Sequence, residues 1–318
     1  MRPIRFGVLA ESARTPADLL RTARLAEDAG CSTLLIRDHL VEGPFDHQLG
    51  PLTALAFVAA ATTRLRVGTL VLSNDIRHPA VLAKEIATLD LLSGGRVELG
   101  IGAGFLQREY EQAGIPFDPP GVRIGRLEES LRLLKQLLAG APVVHRGTHY
   151  QVDGLAGFPP ATQRPHPPIH VAGARPRMLG IAAREADIVN LQTVSTDGGA
   201  MTDDPARRGP DAVAAQVERL RAAAGDRFDG LELSMVVTVA VRDRPRRAAE
   251  DIAARRGWSG VTADEVLAMP SILAGPPGHL ADVVAERRER FGLSYLVVSD
   301  RALPDVAPLV AGLVSAVR

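Results

Sequence analysis

The chain is 318 residues long and 46% of its residues are hydrophobic, which places it in the size range of a single large α/β barrel. Its 37 Lys and Arg residues balance its 37 Asp and Glu residues, so net charge gives no argument for a nucleic acid or an anionic membrane as partner. The single cysteine, Cys31, excludes an internal disulfide and any metal site built from several cysteines.

Short β-type runs alternate with longer helical runs in the first third of the chain. Proline opens and glycine closes several of the helical runs, as is typical of helix boundaries. The predicted elements here are strands at 4–10, 32–38, 65–73 and 96–104, and helices at about 17–29, 51–63 and 79–93.

The rest of the chain repeats this scheme with longer connections. Residues 195–210 have loop composition and almost no aliphatic side chains, so we predict a mobile segment there. A short hairpin is expected in the proline-rich connection 142–168. The remaining predicted elements are strands at 168–174, 186–192, 231–242 and 293–300, and helices at about 122–139, 176–185, 211–224, 245–256, 262–268, 277–291 and 304–317.

Eight strands, each followed by at least one helix, predict the α/β class and a (β/α)8 TIM barrel with insertions. The apolar, β-branched strands fit a parallel sheet that is buried on both faces. No linker separates two cores, so we expect one domain over 1–318. A doubly wound open sheet is the alternative, and it would bind its ligand where the strand order reverses. In a barrel, the chemistry belongs in the loops that follow the strands.

Polar residues follow the second and third predicted strands. Asp38 and His39 end the second strand, where a carboxylate beside an imidazole can bind a ligand and exchange a proton near neutral pH. They can equally form a surface pair, with Asp38 capping the next helix. Ser73-Asn74-Asp75 ends the third strand and serves either the ring atoms of a ligand or the turn before Pro79.

Small residues end the fourth and fifth predicted strands. Alternating glycines over 100–104 let a flat or phosphorylated ligand approach the backbone, or else they make a bend at a barrel corner. Gly173, Ala174 and Arg175 precede a helix whose N-terminal dipole favours an anion. This second segment indicates a phosphate site, although exposed arginines are common.

Several signatures of other functions are absent from the sequence. It has no H-E-x-x-H, no nucleophile elbow, no dinucleotide fingerprint and no phosphate-binding loop of the nucleotide hydrolases, so we expect no metal site. No run reaches the roughly 18 apolar residues of a membrane span, and the amino-terminal apolar run is too short for a signal peptide. We expect a cytoplasmic enzyme that acts on a small molecule, without a nucleic-acid or membrane partner.

Taken in order, these strand ends resemble those of the bacterial luciferase-like oxidoreductase superfamily. The resemblance rests on Asp38-His39, Gly68-Thr69 with Arg77-His78-Pro79, ATLDLLSGGRVELGIGAG at 87–104, PIHVAGA at 168–174 and MLGIAAREADIVN at 178–190. It implies a (β/α)8 barrel that binds FMN or the deazaflavin coenzyme F420 at its C-terminal face. The G-x-G-x-G pattern of the fourth strand and the Asp-His pair favour the F420-using branch.

Carried over position by position, the resemblance implies a role for each residue. Asp38 would hold the deazaflavin ring, and His39 would face the substrate as the catalytic residue. The Leu70-Val71 peptide falls where the family often has a cis bond behind the ring. The other implied cofactor-binding residues are Ser73, Gly102, Ala103 and Gly104 along the cofactor, and Gly173 and Ala174 at its phosphate. Arg175 is added to the phosphate site because of its place before the helix.

Two departures from the branch bear on the reaction. Its sugar-phosphate and alcohol dehydrogenases have an acid directly after the fourth-strand glycines and a Trp soon after the Asp-His pair, where this chain has Phe105 and Gly43. We therefore expect reduction, with reduced F420 giving a hydride to an activated double bond, an imine or a similar acceptor while His39 supplies or orients a proton. An FMN-dependent monooxygenase and a non-catalytic flavin- or deazaflavin-binding barrel are the alternatives. Because dimers are common in the family, a homodimer is a further expectation.

Overall fold

Parallel strands and helices alternate through the computed structural model, which describes residues 2–316. Residue 1 and residues 317–318, which the predicted domain and closing helix include, lie outside the described residues. The strands are β1 Arg5–Leu9, β2 Thr33–Ile36, β3 Arg66–Thr69, β4 Leu72–Ser73, β5 Val97–Gly102, β6 Pro142–Arg146, β7 Gln151–Ala156, β8 Ile169–Gly173, β9 Ile188–Leu191, β10 Glu232–Val236, β11 Thr238–Val241, β12 Ile272–Gly275 and β13 Leu293–Ser299.

Most helices begin with a proline at their first position, as the sequence predicts. In α1, Thr15 and Asp18 form a capping box, in which each side chain bonds the backbone N–H of the other residue. The helices are α1 Pro16–Asp28, α2 Pro51–Ala61, α3 Pro79–Leu92, α4 Gln107–Ala113, α5 Pro120–Ala139, α6 Pro176–Glu185, α7 Pro210–Ala224, α8 Pro245–Arg256, α9 Ala263–Ala268, α10 Pro277–Phe291 and α11 Leu303–Ala316. Within residues 2–316, no helix combines the length and apolar character that crossing a bilayer requires.

The main sheet closes on itself as a parallel barrel. Around the ring the strands run β1, β2, β3, β5, β8, β9, β10 and β13, and β13 pairs back with β1. The short strand β4 continues the position of β3 and pairs with β5. The predicted (β/α)8 barrel is therefore confirmed, and the open doubly wound sheet is wrong. The hairpin expected within 142–168 is formed by β6 and β7.

Two predicted strands are each divided in the structure. The strand expected at 65–73 is interrupted after β3 by a cis peptide bond between Leu70 and Val71, at the position that the resemblance implies. The strand expected at 231–242 stays in the barrel only through β10. Beyond it, the N–H of Val237 still donates to Val297 of β13, whereas the N–H of Thr238 donates to Ser271, and β11 then pairs with β12.

Three apolar clusters are formed by the residues that the structure describes. The largest packs the helices against the outside of the barrel. A second is built around Trp258 by α8, α9 and β12. The third lies inside the barrel and includes Leu70 and Tyr295. At the N-terminal end of the barrel interior, Arg5 pairs with Glu98 and Glu232 at 2.7 Å each.

Candidate active site

A cleft of about 790 Å³ opens at the C-terminal ends of the barrel strands, where chemistry is expected in this architecture. The structure brings the eleven residues that were predicted for catalysis and cofactor binding to this one cleft. They are Asp38, His39, Leu70, Val71, Ser73, Gly102, Ala103, Gly104, Gly173, Ala174 and Arg175. Asn74 and Asp75, which the sequence also placed at the third strand end, instead line a separate cavity of about 330 Å³.

The carboxylate of Asp38 is held by two neighbours. Arg77 donates to both of its oxygens, and the backbone N–H of Ser73 donates to one of them at 3.0 Å. Asp38 is 4% exposed, so its charge is balanced by an arginine inside the protein. Asp38 therefore holds the end of β4 and Arg77 in the segment after it, as well as lining the cleft.

The imidazole of His39 is held by a carboxylate and an aromatic ring. Its Nδ1 lies 3.2 Å from Oε2 of Glu109, which also accepts the backbone N–H of Leu40 at 3.1 Å. Its ring stacks on Phe45 with centroids 4.1 Å apart and meets Phe105 edge-on at 5.9 Å. With Nδ1 engaged, Nε2 is the ring nitrogen that can exchange a proton with a ligand in the cleft.

Glu109 is a site residue that the sequence analysis missed. It lies on α4, a short polar helix for which no element was predicted, and its side chain is only 2% exposed. The residue directly after the glycines is Phe105, so the acid of this region does not stand at the position where the resemblance implies one. A helical reading of QREYEQA would have placed Glu109 one turn further on, within reach of the loop that carries His39.

Gly100 and Gly102 of β5, the fourth predicted strand, are needed because neighbouring protein atoms leave no room for a side chain. A Cβ on Gly100 would lie 1.9 Å from the carbonyl oxygen of Thr69 on the neighbouring strand. A Cβ on Gly102 would lie 2.9 Å from a methyl group of Val71. The close approach at Gly100 is thus made by backbone and not by a ligand, whereas the neighbour at Gly102 is a side chain of the cleft.

Gly104 marks the turn from β5 to the segment before α4. Its φ of 69° is left-handed, and a Cβ there would lie 1.8 Å from the hydroxyl of Tyr110. That hydroxyl bonds Ser73 Oγ at 3.1 Å and Asp75 at 3.2 Å. Burial raises the pKa of Tyr110 to about 12, so the phenol stays protonated and links α4 to Ser73 and Asp75 at the end of the third predicted strand.

The predicted phosphate end of the cleft is the beginning of α6. Arg175 precedes the helix without a side-chain cap, and the first turn contributes Met178 to the cleft wall. Uncapped N–H groups at a helix start suit an anion. A Cβ on Gly173 would lie 2.7 Å from Cβ of Met178, so this glycine is needed for packing of the helix on β8.

The segment 195–210, predicted to be mobile because it has almost no aliphatic side chains, lines another part of the cleft and is anchored by a polar side chain. Arg208 is 5% exposed and donates to Thr193 Oγ1 at 2.9 Å and Ser271 Oγ at 3.1 Å. Ser195 and Thr202 exchange two backbone hydrogen bonds as an isolated bridge. The anchor is a charged side chain, which a search for aliphatic residues overlooks; mobility of the rest of the segment stays a prediction.

The sequence profile of the luciferase-like monooxygenase family matches residues 2–292. The chain belongs to this family. The predicted resemblance is therefore confirmed, and the (β/α)8 barrel with its cleft is the family's architecture in this chain.

Relatives by sequence include F420-dependent enzymes. An F420-dependent glucose-6-phosphate dehydrogenase of Nakamurella multipartita is 32% identical over 268 residues, which cover 81% of this chain and 73% of the relative. One of Microbacterium testaceum is 33% identical over 58% of this chain and 55% of the relative. An uncharacterised protein of Sinorhizobium fredii, y4wF, is 36% identical over 54% of this chain and 49% of the relative. The matches span about half the length of most of these curated relatives.

Solved structures share the fold of this luciferase-like chain. The F420-dependent tetrahydromethanopterin reductase of Methanopyrus kandleri has a TM-score of 0.76 at 20% identity, covering 98% of this chain and 97% of that protein. The monooxygenase RslO1 of Streptomyces bottropensis has a TM-score of 0.77 at 23% identity, covering 98% and 99%. At these identities the likeness concerns the barrel alone.

Proposed function

We propose that this chain is an F420-dependent oxidoreductase that transfers a hydride between the reduced deazaflavin and a small organic substrate. The observation that carries the proposal is the meeting of His39, held by Glu109, with all the cofactor-binding residues predicted from sequence around one cleft. Relatives with at least 30% identity that carry the name of an F420-dependent dehydrogenase support the choice of cofactor.

The residues of the cleft fit such a cofactor. Its volume of about 790 Å³ is within the range of sites for small molecules and cofactors, about 300–1,000 Å³. The uncapped start of α6, beside Ala174, suits the cofactor's phosphate. Leu70, Val71 and the glycine segment 102–104 would line its ring. When bound, the deazaflavin supplies the hydride chemistry that no amino-acid side chain provides.

We propose that His39 transfers the proton that accompanies the hydride. Because Glu109 accepts at Nδ1, we propose that Nε2 gives a proton to the substrate or takes one from it. Glu109 is a positioning residue, since its Oε2 is shared by His39 and the N–H of Leu40 and its side chain is 2% exposed. Phe45 and Phe105 flank the imidazole with apolar surface and restrict water there.

Reduction is the direction that we propose. The acid that the branch's dehydrogenases have directly after the glycines is replaced by Phe105, and Glu109, the carboxylate bonded to His39, is committed to holding the ring. An activated double bond or an imine needs only a hydride and one proton, which this arrangement can supply.

The test is an acceptor screen with reduced F420. We expect protein-dependent oxidation of reduced F420 by at least one activated alkene or imine under anaerobic conditions. Oxygen consumption with reduced FMN, and none of the expected reaction with reduced F420, would instead identify the FMN-dependent monooxygenase. Binding of F420 without turnover of any acceptor would favour the non-catalytic barrel.

We also propose that the protein works in the cytoplasm as a homodimer. Apolar side chains that are exposed on α2 and α3 support an interface between copies: Phe57, Val81, Leu91 and Leu92. Sedimentation equilibrium measures the mass directly, and a mass of 33.8 kDa at all concentrations would contradict the dimer.

A further inference from the structure

The cleft has a second wall of different character from the predicted cofactor side. In the ring of eight strands, β10 lies four places from β3 and therefore on the opposite side of the barrel. Arg256, at the end of α8, and Arg208, in the segment before α7, both line the cleft on this side together with Thr238. Their guanidinium groups can bind oxyanions with two parallel hydrogen bonds.

The two arginines share one carboxylate. Asp203 accepts from Arg208 through Oδ1 and from Arg256 at 2.6 Å through Oδ2. Both guanidinium carbons lie 5.2 Å from the centre of the Trp258 ring, whose Nε1 donates to the Asp203 carbonyl at 3.2 Å. Arg256 also donates to Thr238 Oγ1 at 2.7 Å. This arrangement fixes both arginines before any ligand arrives.

The cluster of Asp203, Arg208 and Arg256 carries one net positive charge beside the cleft. Burial, and then the nearby charge of Arg256, lower the pKa of Arg208, while Asp203 opposes both effects. Arg208 is the anchored member, with a side chain 6% exposed, and Arg256 is the accessible one at 30%. An excess positive charge at a partly desolvated site is stabilised when a ligand brings the missing anion.

We propose that Arg256, positioned by Asp203, Arg208 and Trp258, binds a carboxylate or phosphate group of the substrate. This inference rests on the proposed function, because it assigns the substrate to the class of small organic anions. The anionic group would lie on the β10 side of the cleft, across from the Leu70-Val71 peptide and two strand places from β8, whose end is predicted to hold the cofactor's phosphate. Arg256 is then a specificity-determining residue of the proposed reaction.

The experiment measures binding of inorganic phosphate and of propionate by calorimetry, in protein saturated with F420 so that the phosphate end at α6 is already filled. We expect Arg256→Gln to weaken the better-bound anion at least tenfold. Arg246→Gln is the matched control, because Arg246 lies on the same helix, is 64% exposed and pairs with Asp264 away from the cleft. That variant should bind the anion within twofold of wild type.

Asp203→Asn should change anion affinity in the opposite direction from Arg256→Gln. Removing the shared carboxylate leaves both guanidinium groups for the ligand, so we expect the anion to bind several-fold more tightly. A merely structural role for the cluster predicts a loss in this variant and not a gain. The anion that responds, phosphate or propionate, identifies the group that the substrate carries.

The outcomes separate this inference from the proposed function. If wild type binds neither anion, or if Arg256→Gln and Arg246→Gln behave alike, the anion subsite is wrong even though F420 binds. If F420 does not bind, the same titrations on the protein alone still test the subsite through Arg256, and only the proposed function falls. F420 affinity should stay within twofold in all three variants, because none of the three side chains is among the residues predicted to hold the cofactor.

Discussion

The imidazole of His39 is the group on which the proposed chemistry of the cleft depends. Sequence alone singled out His39 because chemistry in a barrel follows the strand ends, and its neighbour Asp38 reached the same cleft for the same reason. What sequence did not predict is which acid serves the imidazole. Asp38, adjacent in the chain, pairs with Arg77, whereas Glu109, 70 residues away, holds His39. Side-chain pairing across the fold depends on rotamers and packing that adjacency does not encode.

His39→Gln tests the proton-transfer role at the residue scale. Glutamine keeps a hydrogen-bonding side chain but cannot carry the proton, and a positioned general acid is worth roughly 10²–10⁴ in rate. We expect turnover of the best acceptor to fall by about that factor while F420 affinity changes by no more than a few-fold. His47→Gln, on the same loop but outside the cleft lining, is the control. Wild-type turnover of His39→Gln across pH 5.5–8.5 would remove the acid–base role.

A second prediction concerns His170 and the pH dependence of the stability of the fold. It lies on β8 inside the barrel at 0% exposure, and neither ring nitrogen has a hydrogen-bond partner among the described residues. Burial lowers the pKa of His170 to about 4. The unfolded chain, with an ordinary value near 6.5, takes up the proton first as pH falls. The free energy of unfolding therefore falls by about 3 kcal/mol as the pH drops from about 6.5 to 4.

His170→Phe removes this titration and retains a ring of similar shape beside Tyr295. Urea unfolding of both proteins should give similar pH dependence above pH 7, where the imidazole is neutral in both states. Below that, the variant should retain stability that the wild type loses. Parallel losses in both proteins from pH 6.5 to 4.5 would show that His170 is not the source.

For the strands and helices, the sequence predicted which elements exist better than it predicted where they end and which strands they pair with. All eight barrel strands were found because their apolar, β-branched runs are long and regular. The division at 237–238 was missed because the apolar pattern of 231–242 continues through it, and the change of partner from β13 to β12 is decided by chain packing. Helix α4 was missed because it has 7 residues and is polar, so its sequence shows no apolar helical periodicity.

Alanine at Gly100 and Gly102 separates an architectural glycine from one that serves the cleft. At Gly100 the new Cβ meets the Thr69 carbonyl, which cannot move without disturbing the sheet, so we expect the free energy of unfolding to fall by about 1–3 kcal/mol or more. At Gly102 it meets only the side chain of Val71, so we expect a smaller loss of stability and weaker F420 binding. Urea unfolding and F420 titration measure the two effects. Wild-type stability of Gly100→Ala with loss of F420 binding would reverse the assignment for Gly100.

For the whole molecule, the zero net charge hides a local asymmetry that composition cannot reveal. The surplus charge at Asp203, Arg208 and Arg256 exists because segments from distant parts of the chain meet at the barrel mouth. The same contacts join the second apolar cluster around Trp258 to the barrel, through Arg208 and Ser271. We propose on this basis that the chain folds as the single domain expected over 1–318.

Scanning calorimetry tests that proposal. Because the cluster around Trp258 shares charged and hydrogen-bonded contacts with the barrel mouth, we expect one cooperative transition in which the calorimetric and van't Hoff enthalpies agree. Two separate transitions, or early proteolysis confined to α8 and α9, would show that this part unfolds on its own.

Equilibrium titration of the purified protein with F420 and FMN side by side tests whether this cleft binds a deazaflavin. We expect micromolar affinity for F420 and no measurable binding of FMN, with F420 affinity greatly reduced in Ala174→Asp, which places a negative charge at the start of α6 where the phosphate would lie. Tight binding of FMN without binding of F420 would show that the cleft is a flavin site and not a deazaflavin site.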